Sequence, residues 1–105
     1  MVKYGCVPDF RLLNKQLVKD TYCLPNPTDL LHSISKCYIL SSMDLSSGFW
    51  QIKLDPRDTE KLAFCCFAGN YKYLKLPFGL ANCPSIFQRT IDIVLSGLTY
   101  SAFVT

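Results

Sequence analysis

Hydrophobic and polar positions divide the chain into short elements of both kinds. In "TYCLPNPTDLLHSISKC", Leu30, Leu31 and Ile34 fall at helical spacing behind Asn26 as an N-cap, Pro27 at the first helical position and Asp29 in the first turn. That spacing predicts a short helix from Pro27 to Lys36. "YILSSMDL" (38–45) alternates, with Tyr38, Leu40, Ser42 and Asp44 on one face and Ile39, Ser41, Met43 and Leu45 on the other. It predicts a strand with Asp44 near its C-terminal end. Gly48 breaks the element, "WQIKL" (50–54) resumes a strand, and "DPRDTEKL" (55–62) offers a turn and one helical turn. "AFCCFAGNYKYLKL" (63–76) is rich in strand formers on both sides of Gly69-Asn70, a pair suited to the positive backbone angles of a tight hairpin turn. Ile86, Phe87, Thr90, Ile91, Val94, Leu95 and Leu98 recur on one helix face, with Pro84 at the start and Gly97 near the end, so the longest helix is expected over 84–97. The first twenty residues, interrupted by Pro8, read as a short strand and a basic loop carrying Lys3, Arg11, Lys15 and Lys19, and "TYSAFVT" (99–105) begins another β-rich run. The mixture predicts an α+β fold, an antiparallel sheet with packed helices.

Composition narrows the function classes. The chain has 105 residues, enough for one domain with a real core, and 50% of them are hydrophobic and 13% aromatic, which excludes a disordered segment. Its net charge of +3 permits an anionic partner but falls short of the basic stripe of a self-sufficient nucleic-acid binder. The six cysteines (6, 23, 37, 65, 66 and 83) follow no signal peptide and form no CxxC, so free thiols in an intracellular protein are expected. Cys65 and Cys66, adjacent in a strand, point to opposite faces and do not chelate one ion together, and His32 has no ligand-spaced partner, so zinc is not expected. No apolar stretch approaches the ~20 residues that span a bilayer, so no membrane association is expected.

The stretch "SSMDLSSGFWQIKLDP" (41–56) raises the chemical question. A strand-end aspartate is ordinarily solvated or caps the following turn. With Leu40 and Leu45 beside it, a carboxylate at the rim of a buried sheet keeps its charge most readily against something positive, and a divalent metal meets that need. Magnesium takes hard oxygen donors, usually one or two carboxylates with phosphates and water. The other acids supply no obvious second ligand.

"DFRLLNK" (9–15), "SMDLSSGFWQIKL" (42–54), "KLAF" (61–64) and above all "LPFGLANCPSIFQR" (76–89) resemble the reverse transcriptase of gypsy-type LTR retrotransposons and retroviruses, over roughly residues 6 to 105. The resemblance implies part of the fingers and the first half of the palm of a right-hand, RNA-directed DNA polymerase. Such an enzyme adds deoxynucleotides to a primer 3′-end on an RNA or DNA template by two-metal, magnesium-dependent phosphoryl transfer. Asp44 matches the first catalytic, metal-binding aspartate, and Leu45 would lend a backbone carbonyl to a metal. Phe49 matches the aromatic gate beneath the incoming sugar. Pro77, Phe78 and Gly79 match the turn beside nucleotide and template. Gln88 and its helix would pack under the palm and help to position template. Arg11, Asn14 and Lys15 would lie in the fingers near template. The implied partners are template-primer, deoxynucleoside triphosphates and the remainder of a Pol polyprotein, in the cytoplasm or in virus-like particles.

Two departures qualify the match. "KYGCVPDFR" has Gly5 near the place where the family carries a basic triphosphate-holding residue, with Pro8 inserted and Lys3 a poor substitute. The family's aromatic-X-Asp-Asp hairpin, with the other two carboxylates, is expected directly after "SAFVT". The chain therefore reads as a fragment truncated before that hairpin, inactive in isolation and prone to aggregate. The alternative is a non-catalytic retroelement remnant acting as an RNA-binding or interaction module.

Overall fold

In the computed structural model, residues 8–98 are described. The expectations for Lys3, Gly5 and the β-rich run from residue 99 lie outside the described residues. The elements are α1 (Arg11–Gln16), α2 (Pro27–Ile34), 3-10 turns at Gly48–Gln51 and Thr59–Leu62, β1 (Ala63–Cys66), β2 (Gly69–Lys72) and α3 (Cys83–Val94). The described fold is thus α+β, with a two-stranded antiparallel sheet. None of its helices is long and apolar enough to cross a membrane. The chain divides into two units, Met1–Lys19 with Ser47–Cys83, and Asp20–Ser46 with Pro84–Thr105.

In the first unit, α1 replaces the basic loop expected from Pro8. Proline is disruptive inside a helix but not upstream of one, and Arg, Leu, Lys and Gln all favour helix. Asp9 Oδ1 accepts the Arg11 backbone N–H at 3.0 Å, satisfying one of the donors a helix start leaves unpaired. The expected turn and helical turn are present: Asp58 N–H donates to the Asp55 carbonyl at 2.9 Å, and the 3-10 turn at Thr59–Leu62 follows.

The 63–76 hairpin forms, but its turn is not Gly69-Asn70. Ala63 pairs with Lys72, Phe64 with Tyr71, Cys65 with Asn70 and Cys66 with Gly69, so Phe67 and Ala68 make the bend. Cross-strand aromatics account for the shift, since this register stacks Phe64 on Tyr71 (centroids 6.0 Å, planes 28° apart) and leaves Phe64 against Tyr73 at 5.3 Å. Gly69 takes the left-handed angle, φ 130°, at the end of the turn, where glycine is favoured.

"WQIKL" is only half strand, because the 3-10 turn claims its front. Ile52–Leu54 then runs beside Leu74–Leu76, with Leu54 N–H to Leu74 O at 3.1 Å and Leu76 N–H to Ile52 O at 2.9 Å. Phe10, Leu62, Leu76, Pro77 and Cys83 are buried, and Phe10 meets Tyr73 at 6.3 Å.

In the second unit, α2 matches expectation at its start, with Asn26 accepting the Thr28 N–H at 3.0 Å and Pro27 in the first turn, and it ends two residues early at Ile34. The predicted strand at 38–45 does not form. Tyr38, Ile39, Leu40, Met43 and Leu45 are exposed, and no described strand pairs with the segment. Alternation fixes which faces a strand would present but not a partner for its ladder, and without one the backbone groups turn to water. α3 begins at Cys83 beside the expected Pro84, and Gly97 (φ 92°) follows its last turns as a left-handed terminator.

Candidate functional site

The sequence "KLPFGLANC" builds a loop of the first unit that several side-chain hydrogen bonds hold. Leu76 and Pro77 are fully buried and anchor its entry. Gly79 has φ 94°, a conformation that side chains with a Cβ avoid. Three side chains then hold the loop. Asn14 Nδ2 donates to the Gly79 carbonyl at 2.9 Å while Asn14 Oδ1 accepts the Ala81 N–H at 2.9 Å. Asn82 Nδ2 donates to the Val18 carbonyl at 2.8 Å, and the Cys83 thiol donates to the Pro77 carbonyl at 3.0 Å. Burial pushes the Cys83 thiol pKa up, so it remains a thiol and a donor.

Phe78, at the tip of this loop, lies against both aromatics of "GFWQ". Its ring centroid is 5.2 Å from that of Phe49 and 5.5 Å from that of Trp50, the latter edge-on. Such tilted and edge contacts suit the ring quadrupoles. Phe49 and Trp50 are presented by the 3-10 turn, entered through Ser47 in the left-handed region (φ 52°, ψ 48°) with Trp50 N–H donating to Ser47 O at 2.9 Å. The first unit thus gathers Phe49, Pro77, Phe78, Gly79 and Asn14 in one place, and adds Trp50, Asn82 and Cys83, which sequence reasoning did not single out. The adjacency of Asn82 and Cys83 to the "LPFGL" block was the available signal; nothing in the pattern marked Trp50.

Arg11 and Lys15 are exposed on α1. The Arg11 guanidinium is engaged by Asp9, with Nη2 to Oδ2 at 2.6 Å and Nε to both carboxylate oxygens at 2.9 Å. That contact lowers the Asp9 pKa and raises the Arg11 pKa.

Asp44 and Leu45 lie in the second unit, both exposed, on the segment that is not a strand. Asp44 Oδ and the Leu45 carbonyl are hard oxygen donors of the kind magnesium takes. Among the described residues, however, no three His, Cys, Asp or Glu side chains gather where they could hold a metal ion. These residues do not fit the ion by themselves.

Gln88 is buried in the same unit, 5% exposed, within a polar network on α3. Its Nε2 donates to Asp92 Oδ1 at 2.9 Å, and the Tyr22 hydroxyl donates to Asp92 Oδ2 at 2.5 Å. Arg89 Nη2 reaches Asp20 Oδ1 at 2.8 Å and its guanidinium lies 5.0 Å over the Tyr22 ring, while the Ser85 hydroxyl donates to the Asp20 carbonyl at 3.2 Å. Hydrogen bonding to Asp92 raises the Tyr22 pKa.

Comparison with known proteins bears on all these residues together. The family model described as reverse transcriptase (RNA-dependent DNA polymerase) matches residues 4–104. The chain is 41% identical over 96 residues to the retrovirus-related Pol polyprotein from transposon 297 of Drosophila melanogaster, covering 91% of this chain and 9% of that relative. It is 43% identical over 89 residues to the Pol polyprotein from transposon gypsy of the same fly, covering 85% of this chain and 9% of the relative. It is also 45% identical over 90 residues to the enzymatic polyprotein of cauliflower mosaic virus (strain Strasbourg), covering 86% of this chain and 13% of the relative. The chain therefore spans 9 to 13% of the length of these relatives. Matched over almost its whole length, the chain belongs to the reverse transcriptase (RNA-dependent DNA polymerase) family.

Proposed function

We propose that this chain is a fingers-and-palm segment of an RNA-directed DNA polymerase that extends a primer with deoxynucleotides on an RNA or DNA template. The family match over residues 4–104 carries the reading. The grouping of Phe49 and Phe78, at 5.2 Å, supports it, because a sugar gate must be rigid to reject a 2′-hydroxyl.

In this reading Asp44 is one carboxylate of the acidic set that serves phosphoryl transfer, with the Leu45 carbonyl beside it. The family generally depends on magnesium, and Asp44 with the Leu45 carbonyl would hold such an ion only together with further oxygen donors. The ring of Phe49 bounds the sugar; Phe78 and the backbone at Gly79 bound the nucleotide. Pro77 fixes the loop beside the template, Gln88 helps to position template by packing α3 within its own unit, and Arg11, Asn14 and Lys15 lie near template on α1. Template-primer, deoxynucleoside triphosphates and the rest of a Pol polyprotein are the partners, in an intracellular setting. Electrostatic positioning is nearly all that a protein contributes to phosphoryl transfer, so in this reading Asp44 acts only as one member of a larger acidic set.

The test is to read the coding sequence past Thr105, express the continued frame and measure primer extension. An in-frame aromatic-X-Asp-Asp is expected within a few codons, with extension that falls by at least about a hundredfold in Asp44→Asn. A stop codon directly after Thr105, with salt-sensitive binding of RNA by the chain alone, would instead favour a non-catalytic remnant.

A further inference from the structure

The same amide that the polymerase reading sets near template has both of its ends occupied within the protein. Asn14 donates to Gly79 O and accepts from Ala81 N–H, each at 2.9 Å. A side-chain amide used on both atoms acts as a two-point strut, fixing the orientation of the peptide units on either side of Leu80 as well as their distance from α1. The intervening loop begins at buried Pro77 and carries Phe78, whose ring contacts Phe49 and Trp50. Phe78 is 39% exposed, so surrounding packing alone does not hold it.

We propose that Asn14 is a positioning residue, which clamps the Pro77–Ala81 loop and through it holds Phe78 against Phe49 and Trp50. Its meaning for catalysis rests on the polymerase reading: the wall against which the incoming sugar is measured is set from α1, through an amide whose two ends are both occupied within the protein. Neither bond survives replacement by an apolar side chain. A carboxylate at this position keeps the bond from Ala81 N–H but faces the Gly79 carbonyl with no proton to donate, whereas the protonated carboxyl restores both bonds.

Trp50, the only tryptophan, stands at the far end of the clamp and reports on it. In the 105-residue chain, Asn14→Asp is expected at neutral pH to shift Trp50 emission to the red and to lose protection from acrylamide, with unchanged far-ultraviolet circular dichroism. Both effects are expected to reverse as the introduced carboxyl protonates, around pH 4. Wild type and Asn14→Leu are expected to show no such reversal. A Trp50 signal in Asn14→Asp that equals wild type at neutral pH, or a change that acid leaves in place, overturns the proposal. Should that variant fail to fold, amide exchange in wild type decides. Ala81 is exposed, so protection of its N–H means that the Asn14 bond is made, and exchange at the rate of free peptide overturns the proposal. Titration of the protein expressed from the continued frame with deoxy- and ribonucleoside triphosphates separates the two levels. A wild-type chain with no preference between them counts against the polymerase reading, while Trp50 and Ala81 still judge the clamp. A preference that Asn14→Asp retains in full, with Trp50 displaced, overturns the link from clamp to sugar wall.

Discussion

Gln88 offers the sharpest test of whether a polar residue in the family's most specific block acts through packing. Its side chain is buried and its amide donates to Asp92, whose other oxygen is taken by Tyr22. Gln88→Leu conserves volume and removes one hydrogen bond to a charged acceptor, worth about 1.5–3 kcal/mol when fully sheltered. Asp92 is exposed, so water replaces the lost donor and the expected loss shrinks to about 1 kcal/mol. Gln88→Glu conserves shape but sets a second carboxylate where the amide had donated, 2.9 Å from Asp92 Oδ1. At an effective dielectric constant near 20 such a pair repels by about 6 kcal/mol, and relaxation and proton uptake leave an expected loss of about 2–4 kcal/mol at neutral pH. Repulsion raises the introduced group's pKa above its unfolded value of about 4.3, so its penalty is absent in acid and grows as pH rises through the folded pKa. Urea titration followed by far-ultraviolet circular dichroism, at neutral pH and again near pH 4, reads both variants. Wild-type stability in both, or a Gln88→Glu loss that acid does not relieve, would refute the network and leave Gln88 free to touch template directly.

Backbone strain gives two opposed predictions. At Gly69 a new Cβ meets nothing closer than Tyr71 Cε2 at 3.9 Å, so Gly69→Ala should lose about 1–3 kcal/mol in urea through its φ of 130° alone. Ser47→Gly should gain up to about 1 kcal/mol, left-handed relief slightly exceeding the added chain entropy. Equal stability in both variants would rule out these backbone angles. Because the Tyr22 pKa is raised by its bond to Asp92, the stability this bond adds is present up to the ordinary tyrosine pKa, about 10, and is lost as pH rises through the raised value. The excess stability of wild type over Tyr22→Phe should therefore vanish in strong alkali, and an excess that persists would contradict the assignment. Cys83 is buried with a raised pKa while Cys23, Cys37 and Cys65 are exposed, so alkylation mapped by mass spectrometry should reach Cys83 at least about tenfold more slowly. Comparable rates would show that the loop's thiol is open to solvent.

Local chemistry was legible wherever its cause is local. The Asn26 cap and Pro27 mark the start of α2, the acidic turn marks the 3-10 element at Thr59, and Pro84 and Gly97 bracket most of α3. What depends on distant partners was not. The alternation of 38–45 names two faces but supplies no ladder. The hairpin turn follows the Phe64–Tyr71 pairing and not the preference of Gly69-Asn70. Periodicity counts apolar residues, so it aligned Val94 with the inner face although Val94 is 69% exposed, and it overlooked Gln88. Within the candidate site, the residue types came from the family block, but the strut from Asn14 joins positions whose numbers differ by 65 and 67, and no spacing rule reaches that far.

That separation also sets an order of assembly. The hairpin closes over a few residues and can form within microseconds, whereas α1 waits for a loop far down the chain. At about 5–20 residues per second, a ribosome takes roughly 3–13 seconds between making Asn14 and making Gly79. Throughout that interval the nascent helix keeps its amide hydrated, and the aromatic wall at Phe49 stays unfinished until translation delivers the loop that completes it.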